Sequence, residues 1–118
     1  METKTYLGSC HCGKVRYEVK TDLASVIECN CSICSRAGYL LTFVPAEQFK
    51  LLSGEGAQSD YLFNKKHIHH LFCTTCGIHS FGTGAGRDGK TMYAVNVRCL
   101  EGVDTKSLSV KQVDGKSA

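Results

Sequence analysis

The stretch Cys10-His11-Cys12-Gly13 has a counterpart about sixty residues later, Cys73-Thr74-Thr75-Cys76-Gly77. Each stretch carries two cysteines on a short turn and ends on glycine, which tolerates the positive φ of a tight loop. Zinc prefers four tetrahedral ligands, so two such turns supply one complete set of thiolates. We therefore predict a structural zinc on Cys10, Cys12, Cys73 and Cys76 that pins distant parts of the chain together. Iron is the alternative metal, because tetrathiolate geometry also suits iron.

A third cysteine cluster, Cys29-Asn30-Cys31-Ser32-Ile33-Cys34, lies between these two stretches. Its three thiolates can hold a second zinc from one side and leave a coordination position for water or a substrate, as catalytic sites do. One alternative is a closed site, in which Cys99 or one of His67, His69, His70 and His79 supplies a fourth ligand. Another is a reversible disulfide between Cys31 and Cys34, although no βαβ context of the thioredoxin type surrounds that pair.

The composition fits one domain spanning residues 1–118, with 42% hydrophobic residues and a modest core. No stretch approaches the ~20 apolar residues that span a bilayer, and the first residues lack the apolar region of a signal peptide. We predict a cytoplasmic protein without a membrane partner. In a reducing compartment, dense cysteine favours metal binding over disulfides. The net charge is only +3, and the basic residues are spread along the chain, so nucleic acid is an improbable partner.

Short β-rich runs separated by Gly, Ser, Asn and Asp predict a mainly β fold. Val15, Tyr17 and Val19 alternate with polar residues, which predicts a sheet with one face in the core. No long helical period is evident, and short helical turns are predicted at 32–37 and 45–49. The predicted strand regions are 15–19, 39–44, 60–63, 67–72 and 92–97.

Histidines occur on a predicted strand and beside a cysteine turn. His67, His69 and His70 alternate along an apolar run, and such residues more often occupy a strand surface or a core than a metal site. His79 follows the Cys76-Gly77 turn. There it either orients a zinc ligand or shuttles a proton, or it fills a position behind the ligands.

Three further side chains are candidates for binding or burial. Cys99 follows a β-rich run and is predicted to be a small buried apolar residue. Arg36 and Arg98 are predicted to lie on the surface, with pairing to a substrate carboxylate as the functional alternative.

The ordered cysteine motifs resemble those of the glutathione-dependent formaldehyde-activating enzyme (S-(hydroxymethyl)glutathione synthase) family, which also includes centromere protein V. The resemblance runs from about Tyr6 to Leu100. It rests on Gly8-Ser9-Cys10-His11-Cys12-Gly13, Cys29-Asn30-Cys31-Ser32-Ile33-Cys34, Phe72-Cys73-Thr74-Thr75-Cys76-Gly77 and Asn96-Val97-Arg98.

The resemblance implies an Mss4-like fold with one structural zinc and a second, catalytic zinc on Cys29, Cys31 and Cys34. It also implies a carbon–sulfur lyase that joins a small thiol, glutathione, to a small aldehyde, formaldehyde. An open zinc can present the thiol as thiolate or polarise the aldehyde oxygen. The alternative function is a non-catalytic zinc-binding module for protein or nucleic-acid interaction.

Overall fold

A computed structural model of the chain describes residues 2–62, 69–86 and 88–117. Across these residues the chain is mainly β-strand, with one short α-helix, α1 (Ser32–Ala37). The strands are β1 (Lys4–Ser9), β2 (Arg16–Thr21), β3 (Val26–Cys29), β4 (Leu41–Pro45), β5 (Phe49–Ser53), β6 (Gln58–Leu62), β7 (His69–Cys73), β8 (Phe81–Ala85), β9 (Thr91–Asn96) and β10 (Val110–Val113). Single 3-10 turns lie at Ala46–Gln48, Val97–Cys99, Thr105–Ser107 and Gly115–Ser117.

The described strands form two sheets. The small sheet has the order β1-β2-β5, and the large sheet has the order β10-β3-β4-β9-β8-β7-β6. All neighbouring strands are antiparallel except β10, which lies parallel to β3. The parallel pair places the end of the described chain beside the end of β3, where the third cysteine cluster begins.

The core lies between the two sheets. Val15, Tyr17 and Val19 are fully buried, as their alternation with polar residues predicts. Full burial of one such side chain stabilises a fold by about 1.5–3 kcal/mol. Their partners from the large sheet in the same apolar cluster include Val26, Val44, Phe81 and Val95.

Tyr17 joins the sheets through its ring and its hydroxyl group. The ring lies 5.2 Å from that of Phe49 and 5.4 Å, edge to face, from that of Phe81, while the hydroxyl donates to the Ser80 carbonyl at 3.3 Å. Gly8 pairs with Tyr17 across the sheet, and a Cβ at Gly8 would lie 2.3 Å from the ring. Glycine is therefore required at position 8.

Each predicted strand region overlaps an observed strand, namely β2, β4, β6, β7 or β9. Of the residues in those regions, 63, 67 and 68 lie outside the described part of the chain. The helical turn at 32–37 is confirmed as α1, and the turn at 45–49 contains the 3-10 turn Ala46–Gln48. The predictions missed β1, β3, β5, β8 and β10. No helix among the described residues is long and apolar enough to cross a membrane.

Candidate metal centres

The four predicted structural ligands lie together in the folded chain. The sulfur atoms of Cys10, Cys12, Cys73 and Cys76 all lie within 4.8 Å of one another. The Cys10–Cys12 and Cys12–Cys73 sulfur pairs are each 3.6 Å apart. Four sulfurs placed tetrahedrally at about 2.3 Å from a zinc would be separated by about 3.8 Å. The donor set therefore fits a tetrahedral ion such as zinc, and we call it the tetracysteine set.

Both turns of the tetracysteine set have the backbone geometry that their glycines predict. Gly13 and Gly77 have φ values of +83° and +78°. The Gly13 N–H donates to the Cys10 carbonyl at 3.3 Å, and the Gly77 N–H donates to the Cys73 carbonyl at 2.8 Å. The Val15 N–H points at the Cys10 sulfur, 3.3 Å away. Backbone hydrogen bonds thus close both turns, and the Val15 N–H is directed at a ligand sulfur.

These donors favour the ionised form of two thiols. Hydrogen bonds from backbone N–H groups, that of Cys76 first, hold the pKa of Cys73 below its usual value. Burial acts to raise the pKa of Cys76, but the N–H groups of Cys12 and Ile78 outweigh it and lower this pKa to about 6. A metal binds the thiolate rather than the thiol, so Cys73 and Cys76 favour the metal-binding form before an ion arrives.

The tetracysteine set lies where the two sheets meet. Cys10 directly follows β1 of the small sheet, and Cys73 is the last residue of β7 in the large sheet. A side-chain hydrogen bond of 3.0 Å from Lys14 Nζ to Thr75 Oγ1 joins the same two turns. An ion held by the four sulfurs would cross-link the sheets.

The third cluster is built on the junction between β3 and α1. Cys29 ends β3, Cys31 is the N-cap of α1, and Cys34 lies in the first turn of the helix. The three sulfurs lie within 4.8 Å of one another. The N–H of Cys31 approaches the Cys29 sulfur at 3.5 Å, and that of Cys34 approaches the Cys31 sulfur at 3.5 Å. We call these residues the tricysteine set.

The thiols of the tricysteine set differ in their ease of ionisation. Burial raises the pKa of Cys34. Burial also acts on Cys31, but hydrogen bonds, led by that from the Cys34 N–H, lower its pKa overall. Of Cys31 and Cys34, Cys31 therefore ionises more readily before an ion binds.

No fourth donor joins the tricysteine set among residues 2–62, 69–86 and 88–117. Apart from the three sulfurs, no described His, Cys, Asp or Glu atom falls within the same 4.8 Å group. Four of the predicted closing ligands, Cys99, His69, His70 and His79, are not part of this donor group, although His70 lines the cavity beside the sulfurs. His67 is outside the described residues. His69 instead contacts the carboxylate of Asp60 through Nδ1.

Of the cavities beside α1, two share the side chain of Ile33. The smaller, about 300 Å³, is lined by the three sulfur-bearing residues together with Tyr39, His70 and mostly apolar side chains, Ile27, Leu41 and Phe43 among them. The larger is a groove of about 1220 Å³ that the tricysteine set does not line. Ile33 on α1 lines both. Because the smaller cavity contains the candidate reactive centre, we call it the reaction cavity.

A hydrogen bond between Tyr39 and His79 joins the walls of the two cavities. Tyr39 lines the reaction cavity, His79 lines the groove, and the Tyr39 hydroxyl lies 2.8 Å from His79 Nδ1. The Asn96 side chain donates to the His79 carbonyl at 3.0 Å. Burial lowers the pKa of His79 and raises that of Tyr39, so both side chains are neutral at pH 7.

Cys99 lies outside both cysteine sets. It is partly buried, and its sulfur approaches the His79 carbonyl at 3.9 Å. Burial raises the pKa of its thiol to about 11, so the thiol is protonated at neutral pH. Cys99 is therefore a suitable control for the loss of a cysteine that belongs to neither set.

The chain's last described segment covers one side of the tricysteine set. Asn30 holds this segment, since its N–H donates to the Val113 carbonyl at 3.1 Å and its side chain bonds both Asp114 Oδ1 and the Lys116 N–H at 2.9 Å. A Cβ at Gly115 would lie 2.5 Å from the Cys29 sulfur. No sequence pattern predicts this contact, because Asn30 and Gly115 are far apart along the chain.

We expect Gly115→Ala to weaken metal binding at the tricysteine set, because a sulfur committed to an ion cannot rotate away from the new methyl group. The expected loss is about 10–100-fold in affinity, the usual effect of disturbing a ligand's immediate support. Competition with a chromophoric chelator measures it. Lys116→Ala is the control, since Lys116 contributes only its backbone N–H. Equal affinities in the glycine variant and the wild type would refute the contact.

A β framework of two sheets with one four-sulfur and one three-sulfur set defines a class of small cysteine-rich proteins that can hold two metal ions. The chain belongs to the glutathione-dependent formaldehyde-activating enzyme family, whose sequence model matches residues 5–112. This family is enzymatic, which supports an enzyme here.

A solved structure agrees with this assignment. The fold is similar to a crystal structure of a protein from Rhodobacter sphaeroides, with a TM-score of 0.79 and 33% sequence identity. The match covers 91% of this chain and 99% of the other. The prediction of a mainly β, Mss4-like fold is confirmed.

Proposed function

We propose that the chain is a zinc-dependent carbon–sulfur lyase that forms S-(hydroxymethyl)glutathione from glutathione and formaldehyde at Cys29, Cys31 and Cys34. The observation that carries this proposal is the tricysteine set itself, which gathers three sulfurs at the wall of a cavity without a fourth described donor. Catalytic zinc sites commonly have three protein ligands and one exchangeable position. The family name supports the two substrates.

The residues of the tricysteine set fit a zinc ion. Three sulfurs within 4.8 Å of one another leave one side of a tetrahedron uncovered. When bound there, zinc supplies a Lewis acid that can stabilise an incoming thiolate or polarise a carbonyl oxygen. The reaction cavity, about 300 Å³ and largely apolar, has room for a small reacting group.

The reaction requires a proton to move but has no leaving group. A carbon–sulfur bond forms between the thiol and the aldehyde carbon, and the thiol proton ends on the former aldehyde oxygen. The neutral Tyr39–His79 pair holds a proton between the Tyr39 oxygen and His79 Nδ1, beside the reaction cavity. We assign the pair the arrangement in which His79 Nδ1–H donates to the Tyr39 oxygen, so that the Tyr39 O–H can donate a hydrogen bond to the aldehyde oxygen as charge develops on it.

Exchange NMR with labelled formaldehyde and glutathione tests the activity. We expect the zinc-loaded protein to accelerate exchange between free formaldehyde and S-(hydroxymethyl)glutathione above the uncatalysed rate. Arg16→Gln, outside the walls of both cavities, should retain this acceleration. A rate equal to the uncatalysed condensation would reject the proposed activity. It would favour the non-catalytic zinc-binding module.

Thiolate ligation of zinc also bears on the domain organisation, the cellular compartment and the partners of the chain. Residues 1–118 would act as one zinc domain of the type found in formaldehyde-activating enzymes and centromere protein V. A reducing compartment such as the cytoplasm would keep the cysteines as metal ligands. The expected partners are therefore a small thiol and a small aldehyde.

A further inference from the structure

The groove beside α1 has two arginines and no acidic residue among its described walls. Arg36 on the helix and Arg98 in the 3-10 turn Val97–Cys99 both line it. No aspartate or glutamate is present among the described residues that form its walls. Two guanidinium groups thus face a space of about 1220 Å³ without a carboxylate nearby.

Neither arginine is neutralised elsewhere in the described part of the molecule. The ion pair found there joins Asp60 and His69. Arg36 donates through one terminal nitrogen to the Ser32 carbonyl at 2.9 Å, and Arg98 donates through Nε to the Gly38 carbonyl at 3.0 Å. A guanidinium has five N–H donors in a rigid fork, so each arginine is oriented by one bond and retains donors for a ligand.

Both arginines are tied to α1, the helix that carries part of the candidate reactive centre, because Arg36 lies on it and Arg98 donates to the carbonyl of its C-cap residue, Gly38. Arg36 lies on the same short helix as Cys34, and Cys31 caps that helix. Ile33 forms part of the wall of both the groove and the reaction cavity. A ligand lying in the groove can therefore direct a central group past Ile33 toward the sulfurs while its ends remain with the arginines.

We propose that Arg36 and Arg98 are substrate-binding residues that recognise the carboxylates of an anionic peptide thiol. Glutathione matches this arrangement, because its thiol lies between two terminal carboxylates. The choice of ligand rests on the proposed function, whereas the anion-binding role rests on the groove alone. Arginine pairs with carboxylates through charge-assisted, often bidentate hydrogen bonds, which gives both affinity and orientation.

A thiol-blocked ligand separates this proposal from catalysis. Isothermal titration of the zinc-loaded protein with S-methylglutathione measures carboxylate recognition without any reaction at sulfur. We expect Arg36→Gln and Arg98→Gln each to raise the dissociation constant about tenfold, the size of one charge-assisted contact. Arg16→Gln is the matched control, because Arg16 also donates through Nε to a backbone carbonyl, that of Gly13, but lies outside the groove walls.

The diethyl ester of S-methylglutathione provides a second test, and its first comparison uses the wild type alone. We expect the wild type to bind the ester at least about a hundredfold more weakly than the acid, and the arginine variants to lose most of this discrimination. Undetectable binding of the acid by the wild type, equal binding of acid and ester, or arginine variants that bind the acid like Arg16→Gln would each overturn the proposal. Tight, arginine-dependent binding without accelerated formaldehyde exchange would uphold it and reject the lyase activity.

Discussion

Cys73→Ser is expected to abolish the folded state at ordinary temperatures. The Cys73 side chain is fully buried, and its sulfur belongs to the set that joins the small sheet to the large one. Structural zinc sites in small domains have apparent binding free energies of about 10–16 kcal/mol. A domain's whole free energy of unfolding is about 5–15 kcal/mol. Loss of this ion therefore removes stabilisation comparable with the total.

Circular dichroism during heating, together with metal analysis, measures this effect. We expect the wild type to unfold cooperatively and Cys73→Ser to show no cooperative transition. A strong chelator should produce the same loss in the wild type. Cys99→Ser, which removes a partly buried cysteine outside both sets, should still unfold cooperatively. A Cys73→Ser protein that unfolds at the wild-type temperature would show that no ion clamps the sheets.

Cys31→Ser is expected to separate function from folding. The tricysteine set spans only six residues at the junction of β3 and α1, so its loss breaks a local cross-link rather than one between sheets. We expect the bound zinc to fall from two ions to one per chain, with cooperative unfolding retained. Even loss of a group that supports a metal ligand costs about 10–100-fold in affinity or activity, so loss of the ligand should cost at least that much.

Inductively coupled plasma mass spectrometry and exchange NMR on the same samples test this expectation. Zinc content unchanged by Cys31→Ser would show that the tricysteine set does not bind a second zinc ion. Retained exchange activity with one zinc per chain would place the chemistry elsewhere. Cys99→Ser again serves as the matched control for metal content, with two zinc ions expected.

The cysteine sets could be predicted because their signal is local. Two donors on a glycine-terminated turn have a geometry that depends on only four or five residues, and both turns form as expected. The strands that were missed lack such a signal. β8 contains Gly82 and Gly84, which weaken strand propensity, and a Cβ at Gly82 would lie 2.7 Å from the His69 carbonyl oxygen. Its pairing with β7 and β9 creates a strand that its composition does not predict.

At the candidate site, contacts between residues far apart in the sequence could not be predicted. The segment around Gly115 covers the tricysteine set because β10 pairs in parallel with β3. Each of these strands has only four residues, and neither carries a sequence pattern that indicates its partner strand. Arg36 and Arg98 were predicted to be surface residues, and both are exposed. The fold brings them to one groove whose described walls contain no acidic residue. Because Arg36 and Arg98 are far apart in the sequence, the sequence alone could not predict that they line the same groove.

A crystal structure of the zinc-loaded protein, with anomalous data collected at the zinc edge, would show whether the chain holds two zinc ions with different ligand sets. We expect two zinc ions. One should have Cys10, Cys12, Cys73 and Cys76 as ligands, and the other should have Cys29, Cys31 and Cys34 with a water molecule or an added thiol in the fourth position. A protein side chain completing the second sphere, or the absence of zinc from the tricysteine set, would contradict the account.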